Sequence, residues 1–242
     1  MKPILYVQKS QTTKHLAFDF CYTAMLGALE MEHKVKTFTH FSEVPNKPNH
    51  ILVGSVEQCQ GWLKLNNYEI PQAIDINQFS EFLKRKNFIS HTSEIEELLK
   101  SGPIFIKPAN KIKAFTGFQV DNKLMFDLFS EGYQGDILVQ DVLDIISEYR
   151  IYVTDGKIVG CKHYSGDFLK FPQGHIINSI FQKAKQMLTH HSYTIDVAVL
   201  EDGTTALIEL NDGWACGNYG LEPLDYYLFC RNRWLQITGL RK

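Results

Sequence analysis

The stretch Tyr193-Thr194-Ile195-Asp196-Val197-Ala198-Val199-Leu200, then Glu201-Asp202-Gly203, then Thr205-Ala206-Leu207-Ile208-Glu209-Leu210-Asn211 reads as two β-rich runs joined by a tight turn. Side chains alternate faces along a strand. Glu209 and Asn211 therefore point one way and Leu210 the other, while Asp196 shares its face with Ala198. Hairpin pairing near the open ends brings Asp196 close to Glu209. Carboxylates that close repel unless a cation sits between them, and three oxygen-bearing side chains on neighbouring strands suit a hard cation such as magnesium. The plainer reading of Glu-x-Asn alone is a solvated strand end with a turn-forming Asn.

Working outward, an Asp155-Gly156 turn joins β-rich runs over residues 148–153 and 157–164, a strong hairpin signal. The first run carries Arg150, whose charge needs an anionic partner if it faces inward; Glu148 is one nearby candidate. The second carries Lys162, which shares a face with Gly160, leaving space above the sheet. Further upstream, Ile104-Phe105-Ile106-Lys107-Pro108 is a strand ending in a lysine. Lys107 either discourages edge pairing or serves as a fixed ammonium for phosphate oxygens. Residues 110–117 form a polar, basic loop containing Lys111 and Lys113, either a solvated turn or a lid. Ile137-Leu138-Val139 runs into Gln140-Asp141-Val142-Leu143-Asp144.

The N-terminal part has a different pattern. Ile4-Leu5-Tyr6-Val7 is a strand, residues 13–31 have helical periodicity, and residues 34–38 and 51–53 are strands. A helix capped by Ser55 runs to Leu65. This order suggests a small parallel α/β unit. Residues 66–90 are polar and loop-rich and are expected to hold a boundary. A short capped helix is expected over residues 93–100, an amphipathic helix over 175–188 and a closing helix over about 222–234. The C-terminal two thirds therefore reads as α+β, mostly antiparallel.

The chain has 242 residues and a formal net charge of -2, without the electrostatic footprint of a nucleic-acid binder. Its five cysteines are scattered, with no Cys-x-x-Cys pair, which argues against a disulfide framework and for a reduced, cytoplasmic setting. No apolar run approaches the ~18 residues of a membrane span. Neither a phosphate-binding Walker loop nor a dinucleotide-binding glycine fingerprint is present.

The order of parts over residues 93–221 resembles the ATP-grasp superfamily: a strand ending in Lys-Pro, a basic loop, a strand into an acidic hinge, an Arg strand, a paired strand with a second cation, then Asp and Glu-x-Asn. Lys162 stands where typical members have arginine, which resembles the clade defined by that replacement. The resemblance implies an ATP-grasp fold, two α+β subdomains sandwiching ATP, preceded by a small parallel α/β domain. The expected boundaries are residues 1–85 for the N-terminal domain and 86–242 for the ATP-grasp domain, with about 90–136 as the lid subdomain and 137–242 as the metal-bearing one. It implies Lys107 on the α- and β-phosphates, with Lys111 or Lys113 as a second phosphate contact. It implies Gln140, Asp141, Val142 and Leu143 as the adenine hinge, with Asp141 facing the adenine amino group and Asp144 at the ribose. Arg150 and Lys162 would stabilise the transferring phosphoryl group and the acyl-phosphate. Asp196, Glu209 and Asn211 would hold two magnesium ions, with Glu209 bridging. The implied activity is ATP-dependent ligation of a carboxylate to an amine, releasing ADP and phosphate. The partner would be an amino acid, peptide or protein terminus, and neither nucleic acid nor membrane; the chain would be a monomer or homodimer. Trp214 and Tyr219 could shape the acceptor pocket. A phosphotransferase and a non-catalytic nucleotide-binding module are the alternatives.

Overall fold

The Asp155-Gly156 turn forms as its sequence dictates. Both residues have positive φ (49° and 66°), which a two-residue hairpin turn matched to strand twist requires. It joins β8 (Ile145–Thr154) to β9 (Lys157–Gly166). β10 (Ser192–Leu200) and β11 (Thr205–Asp212) form the second hairpin. The four strands make one antiparallel sheet in the order β11-β10-β8-β9. Every residue of β10 is buried, so Asp196 lies inside an apolar strand and requires a partner. Helix α5 (Gly174–Met187) covers one face, packing Ile180, Phe181 and Ala184 against Ile151, Ile195 and Val197. The other face carries the charges.

The computed structural model describes residues 2–109 and 114–241. Its N-terminal part is a parallel sheet, β2-β1-β3, of β1 (Ile4–Gln8), β2 (Lys34–Phe38) and β3 (His50–Val53), with α1 (Asp19–Glu30) and α2 (Val56–Leu65). The last helix, α6 (Pro223–Ile237), belongs to the same core: Tyr226, Tyr227 and Trp234 pack with Leu5, Ile51 and Trp62. At Gly27 of α1, a Cβ would lie 2.0 Å from the Pro223 carbonyl oxygen, so the absent side chain sets how closely α1 and α6 approach.

A second antiparallel sheet, in the order β4-β7-β5-β6, comprises β4 (Asn87–His91), β5 (Ile104–Pro108), β6 (Phe118–Val120) and β7 (Asp136–Asp141). Two short helices, α3 (Ile95–Leu98) and α4 (Lys123–Phe129), accompany it; Ile95 and Phe126 pack with Ile106, Val120, Ile137 and Val139.

Four local expectations are corrected. The helix expected over residues 13–31 begins only at Asp19, because Ser10 Oγ accepts the Thr12 and Thr13 amides and Thr13 Oγ1 accepts that of His15. Such local bonds compete with helix. The segment expected as loop over 66–90 contains a 3₁₀ helix, Ile76–Phe82, and the strand β4. The helix expected over 93–100 is α3 flanked by 3₁₀ turns, and its lead-in is capped by His91, whose Nδ1 accepts the Ser93 amide. β6 and α4 were not foreseen.

Candidate active site

Strand register assembles the site. Lys162 pairs with Arg150, Arg150 with Asp196, and Asp196 with Glu209. Directly opposite residues in antiparallel strands share a face. The four side chains thus form one row across β9, β8, β10 and β11: two cations, then two carboxylates. Arg150 holds Asp196 side-on, with Nε donating to Oδ1 (2.8 Å) and Nη2 to Oδ2 (2.6 Å). This is the partner that the sequence left open, and it is Asp196 rather than Glu148, which accepts the Tyr164 hydroxyl (3.1 Å).

Asn211 Nδ2 donates to Glu209 Oε1 (2.8 Å) and approaches Asp196 Oδ2 (3.4 Å). From the other sheet, Lys107 Nζ reaches to 3.7 Å from Glu209 Oε2. Lys107 and Glu209 thus bridge the two antiparallel sheets. Between those sheets lies a cleft of about 470 Å³, lined by Arg85, Lys107, Gln140, Leu143, Glu148 and Tyr164 among others. A larger hollow of about 540 Å³, near Glu69 and Arg233, contains none of the four residues of the row.

Electrostatics follow from this packing. Burial pushes the Asp196 carboxyl up to about 6, against the pull of Arg150, and the neighbouring Glu209 charge adds to the rise. Burial works the same way on Glu209, but Lys107, Asn211 and Arg150 outweigh it and hold that carboxyl below its ordinary value. Burial opposes the Arg150 charge, yet Asp196 more than compensates, so the guanidinium stays protonated.

The residues singled out from the sequence divide three ways. Lys107, Arg150, Lys162, Asp196, Glu209 and Asn211 converge, and Gln140, Val142 and Leu143 line the cleft. Asp141, expected to face the base, instead accepts the Lys86 amide (2.9 Å) and is exposed. It is the preceding side chain, Gln140, that lines the cleft, because alternation along β7 turns Asp141 the other way. Asp144 is absent from the cleft lining and borders a separate hollow with Glu201 and Asp202. Lys111 and Lys113 lie outside the described residues.

Three features escaped the sequence reading. Gln140 Oε1 is buried with no hydrogen-bond partner, while its Nε2 donates to Asn87 (3.3 Å). Arg85 lines the cleft, donates Nη2 to the Ile208 carbonyl (3.2 Å) and leaves Nε buried without a partner. Burial lowers its pKa, and Glu209 leads the counteracting charges. In sequence it sits inside Lys84-Arg85-Lys86, within the polar, loop-rich stretch of residues 66–90. The third feature is the stacked pair Tyr164 and Tyr219 beside Arg150.

A cation held here would rest on two carboxylates and an amide. Among the described residues no group of three or more His, Cys, Asp or Glu side chains is placed to hold a metal ion. An all-oxygen set with two carboxylates fits magnesium, which keeps several waters and takes further ligands from substrate phosphates.

A family model, ATP-grasp domain, R2K clade family 2, matches residues 82–229. Several solved structures share the fold. A RimK domain protein ATP-grasp from Sphaerobacter thermophilus superposes with a TM-score of 0.59 at 11% identity, covering 96% of this chain and 99% of that one. D-alanine–D-alanine ligase from Bacillus anthracis, complexed with ATP, gives 0.58 at 13%, covering 100% and 99%. N5-carboxyaminoimidazole synthetase from Staphylococcus aureus gives 0.56 at 13%, covering 100% and 79%. No curated protein sequence matches the chain.

Proposed function

We propose that this chain, which belongs to the ATP-grasp superfamily, is an ATP-dependent ligase that joins a carboxylate to an amine through an acyl-phosphate, releasing ADP and phosphate. The observation that carries this reading is the row Lys162, Arg150, Asp196, Glu209, facing Lys107 across a cleft. Phosphoryl transfer asks the protein mainly for positioning and for charge neutralisation. The row supplies both kinds of charge on one rigid sheet.

In this reading ATP lies in the cleft between the two antiparallel sheets. The base sits against Val142 and Leu143, and the unpartnered Gln140 Oε1 accepts from its exocyclic amine. Glu148, also in the cleft lining, takes the ribose side. Lys107 contacts the α- and β-phosphates as a point charge, joined by Arg85 and by a lysine of the loop, Lys111 or Lys113. Asp196, Glu209 and Asn211 would hold magnesium, which would supply charge neutralisation at the phosphate oxygens. The acid substrate attacks the γ-phosphate beside Arg150 and Lys162, and an amine then displaces phosphate from the acyl-phosphate. Water must be excluded during that interval. D-alanine–D-alanine ligase, of the same fold, supports an amino acid, peptide or protein terminus as the substrate class.

Product analysis by mass spectrometry tests the reading. The protein is incubated with magnesium-ATP, pooled amino acids and dipeptides, with hydroxylamine in a parallel tube. ADP with an amide or hydroxamate is the expected result and identifies the acid. AMP would mean adenylation and refute it. A phosphorylated product without amide would select a phosphotransferase, and ATP binding without turnover a binding module.

A further inference from the structure

Tyr219 occupies a conformation that bulky side chains rarely adopt. Its φ is 42° and that of Gly220 is 78°, and the Leu221 amide donates back to the Asn218 carbonyl at 2.8 Å. This is a tight turn whose two central residues are left-handed. Glycine or asparagine is the ordinary choice there, and a tyrosine is a genuine outlier. Local strain of this kind persists only where the surroundings impose it.

The surroundings are visible on three sides. Asn218 Nδ2 donates to Thr23 Oγ1 on α1 (2.7 Å), and the Tyr152 hydroxyl donates to the Gly217 carbonyl (2.6 Å). Leu221, buried, fills the space above Gly160, where a Cβ would lie 2.4 Å from Leu221 Cδ1. The space that Gly160 leaves on the sheet is thus the seat of the loop rather than part of a ligand pocket.

The outcome of these restraints is the placement of one ring. Tyr219 lies 4.8 Å from the Arg150 guanidinium, centroid to Cζ, and stacks on Tyr164 at 4.9 Å and 19°. Arg150 Nε and Nη2 are committed to Asp196. Its Cζ lies over the Tyr219 ring, and Nη1 makes no hydrogen bond to the described residues. We infer that Tyr219 is a positioning residue, which sets the plane of the Arg150 guanidinium so that the Nη1 edge alone is offered to the transferring phosphoryl group. Tyr164 backs the ring and ties it, through Glu148, to the nucleotide cleft. The catalytic part of this inference rests on the ligase reading above; the geometric part does not.

Two measurements on the full chain test it, with Tyr219→Phe and Tyr219→Leu. Tyr219 is 45% exposed, so both variants are expected to keep the fold, which circular dichroism checks. The chain has only five arginines, so their Nε–H signals are resolvable by ¹H–¹⁵N NMR, with Arg150 assigned through its side-chain bonds. The Arg150 Nε–H is expected to move in Tyr219→Leu, which lacks the ring, and to hold its position in Tyr219→Phe. In the ADP-forming assay with pooled amino acids and hydroxylamine, Tyr219→Leu is expected to lower kcat about 2- to 30-fold, the range of a single cation–π contact. The KM for ATP stays unchanged, and Tyr219→Phe restores kcat. An unmoved Nε–H signal, or a Leu variant as fast as the wild type, overturns the inference. If the wild type forms no ADP, the ligase reading fails and the NMR arm alone decides the position of the ring.

Discussion

Replacing Asp196 with leucine while leaving Arg150 in place would strand a guanidinium inside the sheet. The Arg150 and Asp196 side chains are 10% and 2% exposed. Breaking a buried pair from one side typically costs about 3–5 kcal/mol, because the survivor keeps its desolvation penalty without its partner. Glu209 softens the loss: its Oε1 already lies 4.0 Å from Arg150 Nη2, and about a third of its side chain is exposed and able to adjust. That places the expected cost at the lower end, about 3 kcal/mol. Removing both charges, with Arg150→Met and Asp196→Leu together, should bring the stability back to within about 1 kcal/mol of wild type, since a buried ion pair and an apolar pair of similar volume are often equivalent. The assay is urea unfolding followed by tryptophan fluorescence. With a slope of roughly 2–3 kcal/mol/M, the single variant shifts the midpoint down by about 1–1.5 M and the double variant barely moves it. A single variant within about 1 kcal/mol of wild type, or a double variant as damaged as the sum of its singles, refutes the reasoning. The same numbers bear on function: activity lost in an Asp196 variant bears on the proposed magnesium site only once its folded fraction has been measured.

Three further outcomes follow from the same geometry. Lys107→Ala and Glu209→Gln remove a pair whose side chains are 30% and 36% exposed, so each should cost at most about 1 kcal/mol of stability yet abolish magnesium-dependent ADP formation. Full activity in either variant, with circular dichroism unchanged, would remove that residue from the site. Asp196 must lose its proton to serve as a ligand, and its carboxyl is pushed up to about 6; activity should therefore fall as pH drops through about 6, and the limb should move to lower pH as magnesium is raised. A limb near pH 4, or one indifferent to magnesium, would contradict that role. Gly160→Ala drives a Cβ into Leu221, and overpacking of this kind costs about 1–3 kcal/mol. Tm should drop by several degrees, and an unchanged Tm would mean that the loop seats elsewhere.

Much of the fold was legible because the periodicities were clean. The Asp155-Gly156 hairpin, β10 with β11, and the alternation of β1, α1, β2, β3 and α2 all follow local patterns that tertiary packing reinforces. The losses occurred where packing overrides pattern. β4 is an edge strand whose Phe88 and Ile89 are both exposed, so it shows no alternation between a core and a solvent face. β6 has three residues and α4 seven, lengths at which periodicity carries little information. Residues 13–18 fell within a helical pattern, but serine and threonine offered the backbone another set of bonds.

The charged row was legible only in part: the hairpin placed Asp196 near Glu209, while the partner of Arg150 was left open with Glu148 as the named candidate, and the β8–β10 register supplied Asp196. An ionisable residue in an otherwise apolar run must find a partner, and strand register restricts who that partner can be. Asp196 between Ile195 and Val197 is such a residue, and its neighbours across β8 and β11 are Arg150 and Glu209. Arg85 and the Gln140 side chain were not legible, since their significance comes from the cleft between two sheets and no single strand carries it. The row also explains how a protein could keep so many charges ready without a ligand. Arg150 with Asp196, and Lys107 with Glu209, neutralise one another in the structure. In the proposed reaction a tetra-anionic nucleotide would arrive with divalent cations, and the Lys107–Glu209 pair could exchange partners, Lys107 turning to phosphate oxygens and Glu209 to magnesium, while Arg150 stays on Asp196 and offers Nη1. Little net charge is buried in that exchange, so the desolvation that makes buried ions costly is already met in the free protein. What remains for substrate binding to supply is orientation, the task to which the ring of Tyr219 over Arg150 is suited.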